Sequence, residues 1–98
     1  MALALLSSTQ FQAGQLIMTQ GVNDLVQQGR IDPLVCLRRH LNTDWGDLSD
    51  SDWQSNDTAL RTGQDRLFSS YELSPILTLW IITEWDRSVT TLLLPSEY

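Results

Sequence analysis

The chain has 98 residues, 42% of them hydrophobic and 18% charged, which is enough apolar side chain for one buried core and too much for a disordered chain. Twelve carboxylates stand against six basic residues, every one of them arginine, for a net charge of −6 and a pI near 4.3. Such a balance repels nucleic acid and favours a basic partner surface. A lone cysteine, Cys36, cannot form an internal disulfide and suits a reducing cytoplasm. The opening MALALLSS lacks the positive leader of a secretory signal, and the C-terminal apolar run is less than half of the ~20 residues that a membrane helix needs. A cytoplasmic protein with no membrane contact is therefore expected.

Taken in order, residues 1–13 carry weak signals. Leu3, Leu5 and Leu6 could begin a helix or belong to a loose arm, interrupted by Ser7, Ser8 and Thr9. Residues 14–19 (GQLIMT) form a short apolar run between Gly14 and Gly21, which predicts a strand that joins the sheet. Asn23 can cap a short helix that carries Leu25 and Val26 and ends at Gly29. Asp32-Pro33 is a stronger start, because an aspartate accepts from orphan amides and proline at the first helical position gives up no bond. From there Leu34, Leu37, Arg38 and Leu41 follow the i, i+3, i+4, i+7 pattern, placing leucines inward and Arg39 and His40 away from them. TDWGDL at residues 43–48 is a turn around Gly46. Ser49 and Asp52 resemble a capping box, opening a helix that runs through Thr62 and stops at Gly63. On that helix Trp53, Asn56 and Leu60 share a face, while Asp50 and Asp57 lie together on a flank.

Beyond Gly63 the period alternates over residues 66–73, with Leu67, Tyr71 and Leu73 on one face and Phe68 and Glu72 on the other. Ser74-Pro75 turns this strand into the most apolar stretch of the chain. Residues 76–82 are apolar at six of seven positions, as in a strand covered on both faces. Trp85, Asp86, Arg87 and Ser88 then make a hairpin turn into the strand at residues 89–94. The fold expected is α+β in one domain over residues 1–98. It has a three- to four-stranded antiparallel sheet, ending in a C-terminal meander, with two or three short helices packed on one face.

Five carboxylates, Asp44, Asp47, Asp50, Asp52 and Asp57, fall within fourteen residues with no arginine among them, and Trp45 and Trp53 are interleaved. Capping explains Asp50 and Asp52 but not Asp44 or Asp57. The seven residues are therefore the candidate partner-binding surface, with the tryptophans as apolar anchors where exposed. The spacing is not that of a calcium loop, and Cys36 with His40 falls short of a zinc site, so no metal or cofactor is expected. Arg38, Arg39 and His40 suit the end of a helix better than a nucleic-acid contact. An enzyme would need convergent groups. His40, Glu84, Asp86 and Arg87 could serve as acid, base and anion clamp, although Asp86-Arg87-Ser88 is explained as a turn.

RIDPL, RRHL with TDWGDL, the D-x-AL-x-x-G that leads to RLFSSY, and the ending LWIITEWDRSVTTLLLPSEY together resemble a family of small acidic bacterial proteins. These are carried on plasmids and integrated elements and labelled plasmid-related or restriction-subunit-like. The likeness covers residues 14–98 and departs at Trp85, where a small residue is expected, and in the 72–77 turn. It implies a mobile-element setting but carries over no catalytic residue. In that setting the expected function is non-enzymatic inhibition of a host nucleic-acid-targeting defence complex, of the anti-CRISPR or antirestriction kind. The partner would be the basic surface of that complex rather than nucleic acid itself. The alternatives are a small nuclease or toxin-like enzyme and a homodimeric regulatory interaction module.

Overall fold

A computed structural model describes residues 9–98. The elements run β1 (Gln15–Met18), α1 (Gln20–Gln27), α2 (Pro33–Leu41), α3 (Asp50–Thr62), β2 (Leu67–Ser74), β3 (Leu77–Thr83) and β4 (Val89–Leu93), closed by a 3-10 turn over Pro95–Glu97. The sheet order is β1-β4-β3-β2. β2, β3 and β4 form the expected antiparallel meander. β1, however, pairs parallel to β4, with Leu16 opposite Thr90 and Met18 opposite Leu92. The sheet is thus mixed rather than purely antiparallel. The fold is α+β, with three helices and four strands among the described residues.

Helix boundaries follow local chemistry where that chemistry is strong. Asp32 accepts from the Leu34 amide at 3.0 Å ahead of Pro33. The Ser49 hydroxyl accepts from the Asp52 amide at 3.2 Å, and α3 ends at Gly63 with φ 68° in the left-handed region. The first helix departs from expectation. It begins at Gln20, after Thr19, which makes no side-chain cap bond, so Asn23 lies within it rather than capping it. Glu97 holds this end instead, accepting from the Gly21 amide at 2.9 Å and from the Leu94 amide at 2.9 Å.

The central strand organises the core. Leu79 and Ile81 are wholly buried against Val22, Cys36, Tyr71 and Leu92 on the helix side, each contributing about 1.5–3 kcal/mol through burial. On the opposite face Ile82 and Leu93 are also buried, beneath the edge-to-face pairs Phe68–Trp80 and Trp80–Tyr98. A second cluster, Trp45, Ala59 and Leu67, joins α3 to the sheet, and Phe11, Leu48, Trp53 and Leu60 pack against it. Three expectations change here. β3 starts at Leu77, because Pro75 and Ile76 form the hairpin turn and leave Ile76 88% exposed. On α2 the buried set is Cys36, Leu37, His40 and Leu41, so the inward face is rotated toward His40, and Leu34 and Arg38 are exposed. Finally, residues 9–13 are anchored rather than loose: the Gln10 amide donates to the Leu41 carbonyl, and Phe11 packs on His40 and Trp45. Leu3, Leu5, Leu6, Ser7 and Ser8 lie outside the described residues. Among the described residues no helix is long and apolar enough to cross a membrane.

Candidate partner-binding surface

The acidic stretch is built on a backbone contact with the sheet. The Asp47 amide donates to the Ser70 carbonyl at 2.6 Å, and the Ser70 amide donates to the Trp45 carbonyl at 3.2 Å, so the turn runs alongside β2. Gly46 permits the approach. Its φ is 80°, and a side chain there would collide with the Ser70 carbonyl and the Tyr71 ring.

This seating turns Trp45 inward. The tryptophan expected as an exposed anchor is completely buried, stacked on Phe11 and edge-on to His40 with centroids 6.2 and 5.5 Å apart. Trp53 is half-buried and donates its indole N–H to the Gly46 carbonyl at 3.1 Å. Neither indole is therefore a free anchor.

The carboxylates divide into three groups. Asp44 is paired with Arg39 at 2.7 Å; that hydrogen bond holds its carboxyl below the usual range, and Arg39 in turn lies 4.6 Å from the Tyr71 ring centre. Asp47, Asp50 and Asp57 are exposed and unpaired by any arginine among the described residues. Asp47 accepts from the Glu72 amide at 2.8 Å and Asp57 from the Trp45 indole at 2.9 Å, which orients both side chains without neutralising them. Asp50 lies two helical turns from Asp57 on the same flank of α3. Asp52 is exposed on the other flank, lining a shallow groove with Asn56, Asp65 and Arg66. Glu72 is exposed and tied through its backbone to Asp47; sequence spacing gave no signal for it, because it lies 25 residues from Asp47.

The residues considered for catalysis have other tasks. His40, expected to point outward, is wholly buried. Its Nδ1 meets the Ser69 hydroxyl at 2.5 Å and its Nε2 the Thr83 hydroxyl at 2.9 Å. The Thr90 hydroxyl donates to the Ala13 carbonyl and contacts Thr83. Proton direction follows from that fixed end: Thr83 must donate to Thr90, so Nε2–H donates to Thr83 and Nδ1 accepts from Ser69. Burial, assisted by the Arg87 charge, pushes the His40 pKa down to about 3. Both ring nitrogens are thereby occupied and neutral. Glu84 and Asp86 are exposed at the hairpin turn, where Asp86 accepts from the Ser88 amide and hydroxyl. Arg87 points inward, donating to the carbonyls of Asp65, Glu84 and Ala59. Cys36 is buried, which raises its thiol pKa. Among the described residues no three His, Cys, Asp or Glu side chains are grouped to hold a metal ion.

Comparison with protein-family models, curated proteins and solved structures gives no match.

Proposed function

We propose that this protein is a binding protein that occupies the cationic surface of a nucleic-acid-targeting defence complex, of the restriction or CRISPR kind, through Asp47, Asp50, Asp57 and Glu72. The observation that carries this reading is that these carboxylates are exposed and bear no arginine partner among the described residues, so their charge is uncompensated where it meets solvent. Two of them are oriented by internal hydrogen bonds, which lowers the entropy lost when a partner arginine or lysine engages them. Attraction at long range speeds encounter, and paired carboxylates at contact give selectivity for a basic groove. Asp44 is satisfied by Arg39 and Trp45 is core, so the contact set is smaller than the sequence suggests. The mobile-element resemblance supplies the class of target by analogy.

The test is a pull-down and titration against purified restriction and CRISPR effector complexes. Asp47→Asn, Asp50→Asn and Asp57→Asn together keep an acceptor oxygen at each site while removing three charges. At physiological salt the triple variant is expected to bind at least about tenfold more weakly. Undiminished binding removes the acidic flank from the mechanism.

A further inference from the structure

The two edges of the sheet are treated differently. The outer edge of β2 is closed. Asn56 donates its side-chain amide to the Phe68 carbonyl at 2.7 Å and accepts from the Phe68 amide at 2.9 Å. The turn at Trp45 and Asp47 takes both polar groups of Ser70, and the Asp47 carboxylate takes the Glu72 amide. On the other edge, β1 directs the amides of Gln15 and Thr19 to the Ser88 and Leu92 carbonyls of the β4 side. By strand alternation the N–H and C=O of Leu16 and Met18 point outward. Nothing covers them among the described residues, and Leu16, Ile17 and Met18 are 41–46% exposed. Beside them runs an apolar groove lined by Leu16, Met18, Pro33, Leu34, Leu37 and Leu92, with Val35 47% exposed on the neighbouring helix. Proteins ordinarily guard such an edge with a charge, a proline or a bulge; among the described residues β1 has none of these.

We propose that β1 is the interface with a second copy of this chain, pairing antiparallel about a two-fold axis at Ile17. The occupant must be an extended backbone, since the free groups are two N–H and two C=O at strand spacing. A second β1 supplies the complementary set: Leu16 faces Met18 of the partner copy twice over, giving four hydrogen bonds, and Ile17 faces itself. The groove lining and the strand carry no ionisable side chain, so this surface does not suit the cationic partner of the acidic flank but does suit its own uncharged copy. Two sheets become one of eight strands with all helices on one side, bringing the Leu34 side of both copies toward the axis. Leu16, Ile17, Met18 and Leu34 offer roughly 300 Å² per copy, less than half of a standard interface. The dimer is accordingly weak, with a dissociation constant on the order of 10–100 µM.

Sedimentation velocity across ~1–200 µM tests this. The full chain is expected to pass from monomer to dimer over that range. Met18→Pro deletes an outward N–H without removing a bond to β4, which an edge strand tolerates. Leu34→Glu places a carboxylate in the apolar groove beside β1 of each copy and leaves the strand intact. Each is expected to weaken pairing at least about tenfold, with unchanged far-UV circular dichroism. Three results overturn the proposal. The chain could sediment as a monomer throughout, or a dimer could survive both changes. Pairing could also emerge only once residues 1–8 are removed, which would assign the edge to that segment.

Discussion

At the scale of single residues, the buried histidine ties stability to pH. His40 is the one histidine in the chain and is held neutral, with its pKa near 3 against an ordinary value of 6.5. When the chain unfolds this imidazole is free to take a proton below pH 6.5, whereas the folded protein cannot accept it until close to pH 3. Acidification between those values therefore favours the unfolded state, by roughly 1.4 kcal/mol per pH unit once the unfolded imidazole is fully protonated. Urea denaturation at pH 7, 6 and 5 is expected to show the loss setting in below pH 6.5, above the range where most carboxylates titrate, and a flat profile would contradict the neutral-donor assignment. The inward turn of His40 was not legible from the sequence. Helical spacing placed Leu37 and Leu41 inward but also Leu34, which is exposed, because it could not fix the rotation of a short helix to within one residue, and no local signal marks Ser69 and Thr83 as hydroxyl partners 29 and 43 residues away. Trp45 was misread for a related reason: in a turn, exposure is set by what the backbone docks against, and that is β2.

At the scale of elements, Arg87 joins the β3–β4 turn to the end of α3. Its guanidinium donates to the Ala59 carbonyl at 2.9 Å and to the Asp65 carbonyl at 2.7 Å, adding a charged donor to a helix-terminal carbonyl that also accepts from the Gly63 amide. Its own backbone sits at φ 61°, where a β-carbon is strained. Two substitutions separate these effects. Arg87→Ala loses the clamp and keeps the strain, and is expected to cost about 2–3 kcal/mol. Arg87→Gly loses the clamp but relieves the strain, so it should be more stable than Arg87→Ala by about 1 kcal/mol. Equal denaturation midpoints would show that the turn stores no strain. Elements with strong end signals were legible in advance: Asp32-Pro33 for α2, Ser49 and Gly63 for α3, and the Asp86-Ser88 turn between apolar strands. β1 was recognised as a strand, yet its direction was not, because QLIM carries no mark of pairing parallel with a strand more than seventy residues later. The first helix was misplaced because its N-terminus is held by Glu97, 76 residues beyond Gly21.

For the whole molecule, charge separates the two proposed interfaces by the sign of their response to salt. The chain carries −6, so two copies repel at long range while their contact at β1 is uncharged. Raising salt shortens the screening length from about 10 Å at 0.1 M to about 3 Å at 1 M, which weakens that repulsion and leaves apolar contact and strand hydrogen bonds in place. Self-association should tighten by a few-fold across that range. The acidic flank should do the opposite, because attraction between Asp47, Asp50, Asp57 and a cationic groove is screened by the same ions, and its affinity is expected to fall by about tenfold or more. Titrations of the dimer and of the complex with a defence-system target, run in parallel at 0.05, 0.15 and 0.5 M salt (about 14, 8 and 4 Å of screening), read both slopes. The triple Asp→Asn variant should flatten the heterotypic slope and, by lowering the repulsion between copies, slightly tighten the dimer. If both affinities fell with salt, self-association would itself be electrostatic and would use the acidic flank, and the division of the surface into a charged face for a foreign partner and a neutral edge for its own copy would fail.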